Sequence, residues 1–312
     1  MKILRHWMFA LKIASWPKLL IPFIWGHSLA FYYSHEFKIG IFILGFIYTF
    51  FLIATIVLLN DFFDERVDTI KRKLYPNAGS LKTIPDGIIS SKSILVAGIV
   101  SALIIIGIAF YLELFLHRKF FIILTITSLI VFLFYSAPPL RLNYIGGGEF
   151  LEMFGVGILL PLLQYYLQSG SLELSLESYA LFLSFSIYSL ASAIASGLSD
   201  EVSDRVGGKT TIVGTIGNKN ARQIILFLAI LASIFLAGSI FFSGYSIHWM
   251  GKILFSSFLG YELIRLVDSY SLAETDQFYY IQKFKTYLHY LIWGNFLLVS
   301  VFFILETLVQ IQ

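Results

Sequence analysis

Cysteine is missing altogether from the 312 residues, which excludes disulfides, thiolate metal centres, iron–sulfur clusters and a cysteine nucleophile. Charge is scarce: Asp, Glu, Lys and Arg make up 13% of the chain, against about 25% in an ordinary soluble domain. With 58% hydrophobic residues and a mean hydropathy of +0.81, too little polar surface exists to cover a water-facing shell. A soluble globule is therefore excluded. The six histidines (His6, His27, His35, His117, His248 and His289) show no HExxH spacing, so a histidine-ligated metal is not expected. The first apolar stretch follows Lys2, Arg5, Lys12 and Lys18, as a signal peptide would. However, it contains Pro22 and Trp25, and no A-x-A cleavage pattern follows, so it reads as a retained helix. The net charge is only +3, and no nucleic acid partner is expected.

Apolar runs dominate what is present. Nine segments of roughly 17–23 residues, each long enough to cross the bilayer, centre near Trp25, Leu52, Ile104, Ile126, Ile158, Ser186, Ile230, Phe258 and Leu298. The eighth is interrupted by Ser256, Ser257, Glu262 and Arg265. The expected architecture is an all-α, polytopic membrane protein with nine transmembrane helices, forming one domain over 1–312 in a lipid bilayer. Of the 22 Lys and Arg, only Lys38, Arg118, Lys119 and Lys252 fall on the odd-numbered connections. The positive-inside rule then places the N-terminus and the even-numbered connections in the cytoplasm, at a cell (inner) membrane. Two of those connections, about 61–92 and 199–221, are the long ones. They also hold most of the acids, so chemistry is expected on that face.

The end of segment two reads Asn60-Asp61-Phe62-Phe63-Asp64-Glu65-Arg66-Val67-Asp68. At 100° per residue, Asn60, Asp64 and Asp68 form one stripe with Asp61 on its flank. After segment six, Asp200 and Asp204 again stand four apart. Like charges at that spacing destabilise a helix unless something offsets them. Mg²⁺ binds oxygen ligands, taking one or two carboxylates and keeping water and substrate phosphates. Two facing carboxylate pairs suit Mg²⁺ around a diphosphate. Arg66, Arg72 and Lys82 after the first copy, and Arg205 and Lys209 after the second, supply cations for such an anion. Four intervening segments put both copies on one face and suggest two four-helix halves plus one helix.

These residues resemble the signatures of the UbiA superfamily of intramembrane prenyltransferases. Asn60-Asp61-x-x-Asp64-x-x-x-Asp68 is similar to its NDxxDxxxD motif, and Asp200-x-x-x-Asp204-Arg205-x-x-Gly208-Lys209-x-Thr211 to DxxxDRxxGKxT. Tyr135-Ser136-Ala137-Pro138-Pro139-Leu140-Arg141-Leu142 resembles its YSxPPLRL loop, and the stretch from Lys82 to Ser90 a degraded RPLPSGxIS. The resemblance implies a Mg²⁺-dependent transfer from an allylic polyprenyl diphosphate to an aromatic acceptor. It implies metal and diphosphate binding by Asn60, Asp61, Asp64, Asp68, Asp200 and Asp204, with Arg72, Lys82, Arg205 and Lys209 as assisting cations. It also places Tyr135 beside the reacting centre, although an interfacial belt role fits the residue as well. Arg141 suits either a bidentate contact to an acceptor carboxylate or ordinary positive-inside topology.

Gly148-Glu149 and Gln164-Tyr165-Tyr166-Leu167-Gln168-Ser169-Gly170 are similar to 1,4-dihydroxy-2-naphthoate polyprenyltransferases, which serve menaquinone synthesis. The first acidic motif is closer to the 4-hydroxybenzoate and chlorophyll-synthase branches. The NNxRD pattern of the naphthoate branch is absent before Asp200, and Trp16-Pro17-Lys18 stands where the family has Arg-Pro, with Lys18 or Lys12 as substitutes. Glu149 and Glu152 read as carboxylates complementing the start of their own helix. Gly207-Gly208-Lys209-Thr210 is not a Walker loop, because position 203 is Ser. The alternative from another class is a cation-coupled transporter, since intramembrane acids mark ion pathways.

Overall fold

A computed structural model describes residues 2–76, 81–242, 244–245 and 247–311, and every regular element among them is helical. The side chain of Lys2, one of the N-terminal cations, lies outside the described residues. The helices are α1 (Lys2–Ala10), α2 (Pro17–Ser34), α3 (Ile39–Leu74), α4 (Ser91–Leu114), α5 (Phe121–Ser136), α6 (Leu142–Ile145) and α7 (Gly148–Glu152). They continue with α8 (Leu160–Ser169), α9 (Leu176–Gly197), α10 (Glu201–Gly207), α11 (Ile212–Phe242), α12 (Trp249–Tyr270) and α13 (Phe278–Ile311). A π-helical stretch, Met153–Leu159, joins α7 and α8 into one span.

All nine apolar segments fall on helices, but they do not all qualify as spans. Among the described residues six are long and apolar enough to cross a membrane: α3, α4, Gly148–Ser169, α9, α11 and α13. Together with Ile3–Ser15, from which it bends by 62°, α2 makes a seventh. With 16 residues, α5 falls short of the roughly 20 that a helix needs. Charge interrupts α12 where Glu262 and Arg265 pair at 3.0 Å. The 36 residues of α3 exceed that span length, so its acidic end projects beyond the apolar part.

The core falls into three clusters, of which the two larger meet at α2, a helix apolar on all sides and buried accordingly. Trp25 packs on Phe182 and Phe185 of α9 and Phe296 of α13, with ring centroids 4.7, 5.4 and 5.0 Å away. On its other side Gly26 lets α2 approach the backbone of α8, because a Cβ there would lie 2.6 Å from the Pro161 carbonyl oxygen.

A buried polar node pins α2, α3 and α8 together. His27 Nε2 lies 3.1 Å from Gln164 and Nδ1 lies 3.3 Å from Gln168, while Gln164 Nε2 donates to Thr49 Oγ1 at 3.1 Å. A neutral histidine satisfies this node if Gln168 donates its amide to Nδ1 and Nε2–H donates to Gln164. The node lies about 16 Å along α3 from Asn60, at 1.5 Å per residue. The tyrosines between the two glutamines bond the Glu173 and Lys119 carbonyls. Gln164 and Gln168 of the stretch that resembles the naphthoate branch thus join α8 to α2 and α3, away from the acids. Gln164→Leu leaves His27 Nε2 and the Thr49 hydroxyl without their side-chain partner and should cost about 1–3 kcal/mol. Thermal unfolding in detergent checks this.

Candidate active site

The C-terminal end of α3 and the short helix α10 lie side by side. A Cβ on Gly207 would come within 2.9 Å of Val67 Cγ2, so glycine permits the contact. Cross-links run both ways. Lys209, just past α10, donates to Asp64 Oδ2 of the first motif at 3.4 Å, while Lys71 of α3 pairs with Asp200 of the second. The Lys209 loop is held in turn, because Thr210 N donates to the Tyr144 carbonyl at 2.8 Å.

Each carboxylate of the first motif is tied by donors. Asp64 also accepts from Asn60 Nδ2 at 3.2 Å and from the Tyr144 hydroxyl at 2.8 Å. Asn60 accepts from the Ser136 hydroxyl at 2.9 Å, which joins α3 to α5. Asp68 accepts from Lys82 Nζ at 2.5 Å, and Asp61 pairs with Lys12. Lys12 reaches it because the chain turns through a left-handed residue, φ 48°, between α1 and α2.

Five carboxylates (Asp61, Asp64, Asp68, Asp200, Asp204) thus face four ammonium groups (Lys12, Lys71, Lys82, Lys209). Burial, reinforced by Asp200 and Asp64, pushes the Asp204 carboxyl up to about 7 despite Lys209. Burial also opposes ionisation of Asp200, but Lys71 and Lys82 outweigh it and hold that carboxyl below the usual range. Burial disfavours charge on Lys209, yet Asp64, Asp204 and Asp200 hold its ammonium above the ordinary value.

This donor set suits a hard cation. Every ligand is an oxygen, and Asp61 Oδ2 is buried with no hydrogen-bond partner. Among the described residues no three acids or histidines already stand at metal-holding distance. An ion here would draw on the carboxylates of both segments, leaving water and ligand oxygens to complete its shell, as suits Mg²⁺.

Beside the acids lies a cavity of about 230 Å³. Lys12, Lys18, Asn60, Tyr135 and Glu152 form its polar part, while Leu52, Ile56, Val57 and Leu160 line the apolar part. The π-helical stretch contributes Gly155 and Val156 to the wall. Lys18 and Glu152, both on its wall, form an ion pair.

Several of the expected residues are engaged by other groups of the protein. Arg72 bonds Asp86 at 2.9 Å, and Asp86 also accepts the Lys82 backbone N–H at 2.7 Å, so Arg72 orders the loop that delivers Lys82. Arg205 points away: its side chain is 63% exposed and pairs with Glu201 at 3.3 Å. Arg141 donates to the Phe63 carbonyl at 2.9 Å and lies 3.8 Å over the Tyr144 ring, which fixes that tyrosine against Asp64. Glu149 accepts the Ile212 N–H at 2.7 Å, capping α11 and not its own helix, and Glu152 is held by Lys18. Tyr144 and Lys71 were not singled out by sequence reasoning. Tyr144 carries no motif signal beyond following Arg141, and Lys71 is one of several cations in a run.

The sequence profile of the UbiA prenyltransferase family matches residues 19–304. A 2-carboxy-1,4-naphthoquinone phytyltransferase from Synechocystis sp. is 22% identical over 269 residues, covering 85% of this chain and 83% of the relative. A UbiA homologue from Archaeoglobus fulgidus, solved with GPP and Mg²⁺, shares the fold at a TM-score of 0.65 and 16% identity, covering 94% of this chain and 99% of that one. A digeranylgeranylglyceryl phosphate synthase structure matches at a TM-score of 0.63 and 17% identity, with 97% and 99% covered. With a profile match over nearly its whole length, the chain belongs to the UbiA prenyltransferase family.

Proposed function

We propose that this prenyltransferase moves a polyprenyl group from an allylic polyprenyl diphosphate to an aromatic acceptor of the 1,4-dihydroxy-2-naphthoate type, in quinone synthesis. The supporting observation is the reciprocal pairing of Lys209 with Asp64 and Lys71 with Asp200, next to a cavity lined largely by apolar side chains. The naphthoquinone phytyltransferase relative supports the acceptor class. In this reading all nine apolar helices cross the cell (inner) membrane as one domain, with the acidic end in the cytoplasm.

Asn60, Asp61, Asp64 and Asp68 from α3, with Asp200 and Asp204, would hold Mg²⁺. The ion, when bound, supplies neutralisation of the diphosphate charge. Lys71, Lys82 and Lys209 surround the same place and add positive charge where the leaving group gathers its own. The allylic C–O bond breaks with its electron pair going to diphosphate. A C–C bond then forms to the ring, which gives up a proton. The cavity keeps water from the carbocation, and the ring of Tyr135 on its wall faces positive charge favourably.

Purified protein given Mg²⁺, geranyl diphosphate and 1,4-dihydroxy-2-naphthoate should release diphosphate and yield a prenylated naphthalene detectable by mass spectrometry. EDTA should stop the reaction and added Mg²⁺ restore it. Prenylation of 4-hydroxybenzoate alone would replace the acceptor assignment, and cation transport without turnover would overturn the enzymatic one.

A further inference from the structure

The cavity beside the acids has a defined depth. Along α3 its wall residues run Asn60, Val57, Ile56 and Leu52, about 12 Å at 1.5 Å per residue. Along α5 they run Tyr135, Phe132, Val131 and Ser128, spacings of three and four that keep them on one face. The two helices are tied beside the acids by Ser136, which donates to Asn60 at 2.9 Å, and at the other end by Tyr48, which donates to Thr125 Oγ1 at 3.1 Å. Glu152, Gly155, Val156 and Leu160 descend the third wall. One turn beyond Leu160, Gln164 bonds Thr49 at 3.1 Å. Tyr48, Thr125, Thr49 and Gln164 are all buried, so hydrogen bonds among them close the bundle just past Leu52 and Leu160. Gly155 stands partway down, inside the π-helical stretch, a form of helix frequent at functional sites. Among the described residues, a Cβ built on it meets one atom within 4 Å, Val131 Cγ1 at 3.3 Å, and Val131 is itself on the wall. A side chain at 155 would therefore bridge the cavity from the third wall to α5. Gly157 differs, because a Cβ there would lie 2.7 Å from the Ser186 Cα, and its role is close packing of helices.

We infer that Gly155 selects the prenyl donor by chain length: its missing side chain keeps the cavity passable from Asn60 to Leu52, so that a second five-carbon unit can follow the first. The inference rests on the prenyl transfer proposed above and adds which residue measures the donor. The competing occupant of this space is the aromatic ring of the acceptor. The lining favours the chain. Past Asn60, Tyr135 and Glu152 the one polar wall residue is Ser128, whose hydroxyl already donates to the Leu124 carbonyl at 3.0 Å. A ring carrying hydroxyls and a carboxylate would lose its hydration there without new partners, whereas a hydrocarbon chain needs none.

The test measures binding of non-reactive thio analogues of dimethylallyl and geranyl diphosphate, with Mg²⁺, to wild type, Gly155→Ala, Gly155→Val and Gly155→Val combined with Val131→Ala. Gly155→Val should lower the ratio of geranyl to dimethylallyl affinity at least about tenfold, as overfilling of a fitted space does, and Gly155→Ala should lower it less. Val131→Ala removes the group that a side chain at 155 meets, so the combined variant should recover most of the ratio. General damage to the fold would not be repaired in this way. An unchanged ratio in Gly155→Val, or equal losses for the two analogues, would overturn the inference. So would a higher KM for 1,4-dihydroxy-2-naphthoate with the ratio unchanged, which would give the cavity to the acceptor. Wild type that binds neither analogue would overturn this inference and the transfer reading together. Wild type that binds both with this dependence on residue 155, yet prenylates no aromatic acceptor, would uphold the inference and reject the acceptor reading.

Discussion

Asp64→Asn and Asp200→Asn should each lower prenyl transfer on the order of 10³-fold, through loss of a charged oxygen where the leaving diphosphate is neutralised. The side chain keeps its size in both variants, so the helices should insert as before. The two are not equivalent structurally. Asp64 is held by Asn60, Tyr144 and Lys209, three donors that an amide oxygen still satisfies in part. Asp200→Asn strands the half-buried Lys71 ammonium, which destabilises the junction of α3 and α10. Lys71→Met placed on Asp200→Asn should restore thermal stability without restoring turnover. Recovery of both would make Asp200 a structural partner of Lys71 only.

Lys209→Ala should lower kcat/KM about 10²-fold, while Arg205→Ala, four residues earlier, should stay within about twofold of wild type. The contrast follows from placement. Lys209 is buried against Asp64 and neighbours Asp204 and Asp200. Arg205 faces solvent on Glu201. Lys209 acts where negative charge gathers as the C–O bond opens, so kcat should fall more than the KM for prenyl diphosphate rises. Lys209→Arg should recover part of the rate. Steady-state diphosphate release separates the two parameters. Equal losses for Lys209→Ala and Arg205→Ala would remove the distinction between an inward and an outward cation.

The acidic stripe was legible in the sequence because helical period alone puts Asn60, Asp64 and Asp68 on one face, whatever surrounds them. The same holds for the apolar segments, all of which became helices. The span count was less legible: α5 is shortened by its Pro138-Pro139 end, and the Glu262–Arg265 pair lowers the apolarity of α12. Contacts between helices were not legible. Lys71 and Tyr144 matter through the register of α3 against α10 and the loop at 208–211, which no local pattern encodes. Glu149 shows how a local rule misleads. A carboxylate near a helix start suggests capping of that helix, yet its acceptor oxygen serves the first N–H of α11, 63 residues away. Glutamines 164 and 168 carry a branch resemblance in the sequence, and their pairing with His27 across α8 and α2 is visible only in the fold.

Equilibrium binding of a non-reactive thio analogue of geranyl diphosphate, titrated with Mg²⁺ against wild type, Asp64→Asn, Asp200→Asn and the double variant, tests the pairing of the two acidic segments most directly. If both grip one diphosphate, wild type binds only with Mg²⁺, each single variant loses most of the affinity, and the double variant loses little more than either. Binding that survives without Mg²⁺, or losses that simply add, would mean that the two segments act apart.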